Sequence, residues 1–144
     1  MKELEKLLNK QVANLGVLYV KLHNYHWYVK GPQFFALHAK FEELYDYVTE
    51  LYDEIAERLL ALGLNPVANV RNYLDLASIK DAEGNLNATS MAASVANDFK
   101  LLVSEFKEAI EVSDKLGDLP TSDMLTGAIT ELQKHIWMLT AVAA

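Results

Sequence analysis

The segment HNYHWYVKGPQFFALHAKFEELYD, residues 23–46, holds three of the chain's four histidines: His23, His26 and His38. Glu42 follows His38 by four residues, and Asp53 and Glu57 repeat that spacing further on. Residues four apart on a helix lie one above the other, so each pair can offer two ligands to one ion. Two neutral imidazoles with several carboxylate oxygens suit Fe(II), Mn(II) or Zn(II). Plainer readings are also open. A carboxylate pair at this spacing is usually a solvated face. A histidine such as His26, which projects onto an apolar stripe, is more often a hydrogen-bonded core residue than a ligand.

Helical geometry sharpens the metal reading. With about 100° per residue, Glu42 falls about 40° from His38, Asp53 about 60° and Glu57 about 100°. The apolar residues of the same segment centre on the other side, at about −80°. The four candidates therefore line one border of the buried stripe, outside the subunit's own core. His38 and Asp53, fifteen residues apart in sequence, are separated by about 22 Å along the axis. One copy of this helix cannot bring both pairs to one ion. Packed antiparallel against its own copy, the edge would set His38 and Glu42 of one chain opposite Asp53 and Glu57 of the other. Such an interface is isologous, so the site would occur twice. His26 can approach from the end of the preceding helix.

The elements that must position these residues are helices. Leu4, Leu7, Leu8, Val12, Leu15, Leu18, Tyr19 and Leu22 recur at three- and four-residue steps and predict a first helix to about Val29. Gly31-Pro32 breaks it. The stripe Leu37, Phe41, Leu44, Val48, Leu51, Ile55 and Leu59 predicts a second helix from near Phe34 to about Leu62, ended by Gly63 and Pro66. A long connection follows, within which VRNYLDLA predicts a short helix presenting Val70, Tyr73, Leu74 and Ala77. A third long helix fits Thr89 to Lys115, with Val95, Phe99, Leu102, Val103, Phe106 and Ile110 inward. After GDLPTSD, Thr121 or Ser122 is expected to cap a fourth, running to about Val142. Four long helices joined short, long, short predict an all-α bundle with one crossover, which makes the second and third long helices parallel. That is ferritin-like connectivity.

Composition bounds the rest. The chain has 144 residues, 51% hydrophobic, enough for one domain spanning residues 1–144 with a real core. Twenty acids against thirteen Lys and Arg give a net charge of −7, which opposes attraction to nucleic acid or anionic lipid and favours cations. No apolar run approaches a membrane span, and MKEL opens an amphipathic segment without a signal-peptide profile. The absence of cysteine removes disulfides, thiolate metal sites and cysteine nucleophiles together. The cytoplasm is the expected compartment.

KLHNYHWYVKG, FFALHAKFEELY and YDEIAERLLALG, with SDMLTGAI and KHIWM near the end, resemble the motifs of the Dps proteins, the miniature ferritins that protect DNA during starvation. The resemblance covers nearly the whole chain. It implies a four-helix subunit in a hollow homododecamer of tetrahedral symmetry, with ferroxidase centres between two-fold-related subunits. His26 and His38 then correspond to the histidine ligands of one subunit. Asp53 and Glu57 correspond to the carboxylates of its partner, with Glu57 bridging in a two-metal iron centre that zinc or manganese could also occupy. Glu42 stands where the family commonly has Asp. Its extra methylene moves the oxygen by about an ångström, a scale that matters to ligand geometry, so Glu42 acts directly or through water. Trp27 matches a tryptophan kept beside the centre, as a radical trap or as a packed core aromatic. His23 and His135 match no ligand and read as structural.

Asp114, Asp118 and Asp123 match the region lining the three-fold channels that admit iron. Leu119 stands where relatives often add another Asp, which makes this pore less acidic. The expected activity is oxidation of Fe(II) with hydrogen peroxide or dioxygen, peroxide being preferred on the resemblance alone, with storage of ferric mineral and protection from oxidative damage. The alternatives are a nucleoid-compacting DNA-binding protein without significant ferroxidase activity, as some relatives compact DNA, and an inert helical scaffold. Direct DNA binding is not expected: Glu3 and Glu5 sit among Lys2, Lys6 and Lys10, and the chain closes on uncharged LTAVAA.

Overall fold

A computed structural model describes all residues, Met1–Ala144. The chain forms five helices and no strands: α1 (Lys2–Tyr28), α2 (Phe34–Ala61), α3 (Val70–Leu76), α4 (Ala88–Lys115) and α5 (Leu119–Ala141). The four long helices and the short one in the crossover are those expected. No helix is long and apolar enough to cross a membrane.

Each boundary has a local cause. Gly31 sits at φ 98° after α1, and Gly63 at φ 78° after α2, the left-handed region that a side chain disfavours. The Leu64 N–H then reaches back to the Leu59 carbonyl at 2.8 Å and the Gly63 N–H to Leu60 at 2.9 Å, closing the helix by a Schellman pattern. Asn69 and Asn87 cap α3 and α4 by accepting from the N–H groups of Asn72 and Ser90. α5 departs from expectation. Its cap is Asp118, whose carboxylate accepts from the Thr121 N–H at 3.1 Å, and Thr121 and Ser122 lie buried inside the first turns. Asp caps better than Thr and as well as Ser, and Pro120 fits the first turn, where a missing N–H costs nothing.

Side-chain contacts fix the directions. Arg58, near the end of α2, bonds Thr121 and Asp118 at the start of α5, while Tyr47 and Lys40, further back, meet Ala128 and His135. α2 and α5 are therefore antiparallel. Gln11 and Asn14 meet Glu105, Lys21 meets Asp98 and Tyr25 meets Ser94, so α1 runs against α4. His26 meets His38 and His23 meets Tyr45, so α1 and α2 are antiparallel as well; α2 and α4 therefore run the same way, and the crossover travels the length of the bundle.

The expected stripes form the core. Leu4, Leu8, Leu15, Phe41, Leu44, Ile55, Phe99 and Phe106 are among its fully buried side chains, each contributing about 1.5–3 kcal/mol relative to exposure. Tyr19 is a correction: it is 44% exposed, turned out beside Val20 where α1 borders α3. Ile110 is only half-buried. Of the short helix, Tyr73 and Ala77 pack inward, while Val70 and Leu74 face outward.

A buried polar cluster joins the crossover to this core. Glu105 accepts from Gln11 at 2.8 Å, Asn14 at 2.9 Å and the Ser78 hydroxyl at 2.6 Å, with Lys10 at 3.5 Å. Asn14 in turn accepts from the N–H groups of Ser78 and Ile79. Every member is satisfied, which makes such a group tolerable in a core.

Candidate metal centre

The C-terminal turn of α1 and the N-terminal turns of α2 meet at His26 and His38. The rings stack with centroids 3.7 Å apart and 12° between planes. Each Nδ1 lies 2.7 Å from the other residue's main-chain carbonyl. A carbonyl can only accept, so both Nδ1 atoms carry the proton, and in the neutral imidazoles the lone pair then sits on Nε2. For His26 the arrangement also answers a local demand, because its carbonyl lies in the last turn of α1, where no intrahelical partner exists. His26 is thus a buried, hydrogen-bonded residue whose Nε2 takes no part in that bond.

Glu42 brings its Oε1 to 4.0 Å from the His26 Nε2. That is too far for a hydrogen bond. It is close to the separation of two ligands facing each other across an ion, at about 2.0–2.2 Å from each. Glu42 therefore pairs with the histidine of the other helix, despite its i,i+4 relation to His38. Tyr45 lies behind, its ring 5.3 Å from His26. Burial, then the carboxylates of Glu42 and Asp46, raise its phenol above the ordinary value.

Asp53 and Glu57 lie along the same border of α2, exposed to solvent and in none of the chain's ion pairs. Arg58, adjacent to Glu57, is drawn to the other side, 2.9 Å from Asp118. No three His, Asp or Glu side chains converge within one chain. The histidines with Glu42, and Asp53 with Glu57, stand at opposite ends of one helix edge.

His23 donates through Nδ1 to the Tyr19 carbonyl at 2.6 Å and stacks on Tyr45 at 3.8 Å. Trp27 packs edge-on against His23 but is 68% exposed, so within the subunit it is no core aromatic. His135, 4% exposed, sits between Lys40 at 3.2 Å from Nδ1 and Glu131 at 3.2 Å from Nε2. Burial, then the Lys40 charge, hold its imidazole below the ordinary range.

At the α4–α5 turn, Asp114 and Asp123 are exposed. Asp118 is occupied by Arg58 and Thr121. Burial opposes its ionisation, but the Thr121 hydroxyl and N–H and the Arg58 guanidinium outweigh it and lower the carboxyl below its ordinary value.

The family model for the ferritin-like domain matches residues 5–144. The "DNA protection during starvation protein 2" of Bacillus anthracis is 49% identical over 140 residues, covering 97% of this chain and 96% of its own. The chain belongs to the Dps proteins of the ferritin-like family. Dps from Staphylococcus aureus superposes with a TM-score of 0.97 at 42% identity, over 100% of this chain and 97% of the other. Dps from Vibrio cholerae O1, titled a member of a broad superfamily of ferritin-like diiron-carboxylate proteins, gives 0.95 at 34% identity over 99% and 90%.

Sequence reasoning missed the Gln11–Asn14–Glu105 cluster of this Dps chain. Its signal was present: two amides within the leucine-rich stripe of α1. Gly16 was also passed over, although a glycine inside a helix marks a close approach.

Proposed function

We propose that this Dps chain forms a cage, a dodecamer of twelve subunits, that oxidises Fe(II) between two-fold-related subunits and stores the ferric product. The observation that carries the reading is the reciprocal bonding of His26 and His38. It presents two oriented imidazole nitrogens beside a carboxylate, on a helix edge whose other carboxylates have no partner. Membership of the Dps proteins supports the cage and the iron.

Fe(II) is the substrate. Two Fe(II) give one electron each to hydrogen peroxide, whose O–O bond breaks, and hydrolysis of the ferric product to an oxyhydroxide releases protons. Hydrogen peroxide rather than dioxygen is the proposed oxidant. Removing both reactants prevents hydroxyl-radical formation, which is the protection. His26 and His38 bind through Nε2. Asp53 and Glu57 of the facing subunit add negative charge that offsets the growing charge on iron, with Glu57 between two metal positions. Glu42, 4.0 Å from His26, binds directly or through water. Trp27, exposed beside His23, can give an electron when only one iron is in place. Asp114 and Asp123 draw cations toward the turn that we assign to the three-fold channel. Asp118 serves there as cap and ion-pair partner, so its contribution to the field is smaller.

Cages given anaerobic Fe(II) and then peroxide or air, followed by ferric absorbance and native mass spectrometry, test this. Rapid peroxide-dependent oxidation by a twelve-subunit species is expected. A stable monomer with full metal affinity would refute the inter-subunit site.

A DNA-compacting role has no matching charge. Twelve subunits of −7 each give a cage of about −84, repelled by phosphates within a Debye length of about 8 Å at physiological salt. No stable shift of plasmid DNA by metal-free cages is expected. A salt-sensitive shift at that ionic strength would restore the DNA reading, and a shift only with Mg²⁺ would indicate ion bridging.

A further inference from the structure

α3 leaves an uncovered apolar face beside the metal edge. Val70 and Leu74 are 72% and 58% exposed, and Val20 of α1 is 63% exposed. With Gly16, Tyr52 and Tyr73 they line a groove of about 550 Å³. Thr49, one turn before Asp53 on the same face of α2, lines it too, and Tyr52 immediately precedes Asp53. The groove is therefore continuous with the edge whose ligand spacing requires a second chain.

Tyr73 has a built seat. A Cβ on Gly16 would come within 2.6 Å of the Tyr73 Cδ2 and 2.8 Å of Cε2, closer than carbon atoms approach. Only glycine leaves room for the ring. The Tyr73 hydroxyl bonds the Tyr52 hydroxyl, tying α3 to α2. Burial, then this bond, push the Tyr73 phenol above its ordinary value, in keeping with a shielded hydroxyl. Beyond α3 the chain is latched again, where Asn14 accepts from Ser78 and Ile79 at 2.7 and 3.1 Å and is itself held by Glu105. A glycine is unfavourable inside a helix, and α1 retains one where Tyr73 needs it.

We infer that Tyr73 is a positioning residue for the shared metal centre: seated on Gly16 and bonded to Tyr52, it fixes the turn of α2 that carries Asp53 and sets how α3 meets the partner subunit. This rests on the inter-subunit reading above. Tyr73 touches no metal position and acts through Tyr52 and the subunit contact.

Two matched substitutions test it in intact cages, with Co(II) as a spectroscopic stand-in for Fe(II). Gly16→Ala adds a methyl that collides with Tyr73, whereas Gly127→Ala in α5 adds the same methyl where nothing lies within 4 Å. Alanine is the better helix former at both positions, so a purely local role predicts at most a stability change from the Tyr73 collision in Gly16→Ala, and no change in the metal for either variant. The inference predicts that Gly16→Ala weakens Co(II) binding by about tenfold or more, alters the Co(II) visible absorption, and speeds amide exchange over residues 70–79. Gly127→Ala should match wild type in all three. Tyr73→Phe keeps the ring and loses the hydroxyl link, and should give the same changes in smaller measure; it decides the matter if Gly16→Ala does not assemble. Wild-type Co(II) affinity and spectrum in both Gly16→Ala and Tyr73→Phe would overturn the inference alone. Wild-type cages that bind no Co(II) would overturn the metal-centre reading, and this inference with it.

Discussion

The chain carries two histidine–glutamate pairs at i,i+4, and they have opposite fates. On α5, Glu131 and His135 face each other at 3.2 Å, with the Lys40 ammonium on the second ring nitrogen. Nothing is left for a metal, and a cation would meet Lys40. On α2, His38 gives one nitrogen to the backbone of α1 and keeps the other free, and Glu42 stands off at 4.0 Å from His26. Identical spacing supplies a closed structural tie in one place and, in the other, a pair with atoms left unengaged. Residue type and period therefore do not distinguish the two. What does is whether the polar atoms already have partners, and whether a positive charge guards the site.

The largest expected effect breaks the open pair. Glu57→Gln, Asp53→Asn and His38→Ala should each slow Fe(II) oxidation by about a hundredfold or more, as loss of ligands or of what orients them does, with the cage intact by native mass spectrometry. His135→Ala should oxidise iron at close to the wild-type rate. Equal rates in all four variants would show the centre to be assigned to the wrong residues.

Mixed cages sharpen the comparison by asking whether the open pair belongs to two chains. Alone, His38→Ala and Glu57→Gln subunits are each inactive. Reassembled together, every mixed dimer places both lesions in one site and leaves the other whole. At equal mixing about a quarter of all sites should recover, read as initial oxidation rate. No recovery in verified mixed cages would mean that the ligands come from one chain.

The satisfied pair should appear in stability instead. His135→Ala leaves Lys40 and Glu131 without their buried partner and should cost about 1–3 kcal/mol in denaturant unfolding. A smaller effect is expected at Asp118, where Asp118→Ala removes the cap of α5 and should cost about 0.5–2 kcal/mol. Its pH dependence follows from the lowered folded-state value. The folded chain holds the proton more weakly than the unfolded one, so the stabilisation is full above the ordinary value of 3.8. It is lost as pH falls through the lower folded value. Melting curves of wild type and Asp118→Ala should converge toward acid pH; a constant gap would deny the linkage.

The helices and the border of α2 were legible because apolar periodicity is set within a segment. The cap of α5 was not, since Asp118, Thr121 and Ser122 all favour such positions, and Arg58, which helps hold Asp118, is 60 residues away. Tyr19 was misplaced for a related reason: its register fits the stripe, but it borders α3 in the crossover, whose path no local pattern encodes. The free nitrogens of His26 and His38 depend on a backbone meeting across the α1–α2 turn. Spacing could propose the ligands and the need for a second chain. It could not give their tautomers.

The stacked histidines have a consequence for how the protein would respond to the metal proposed to bind there. Their alignment is complete once α1 and α2 close on each other, so an arriving ion meets ligands whose ordering entropy was already lost in folding. The unfolded chain has no such arrangement, and occupancy must therefore act as a thermodynamic weight on the closed hairpin, growing with the logarithm of free metal once that exceeds the dissociation constant. On the proposed function, iron supply and resistance to unfolding are then one linked equilibrium, and the proposed cages would be most durable when replete with metal.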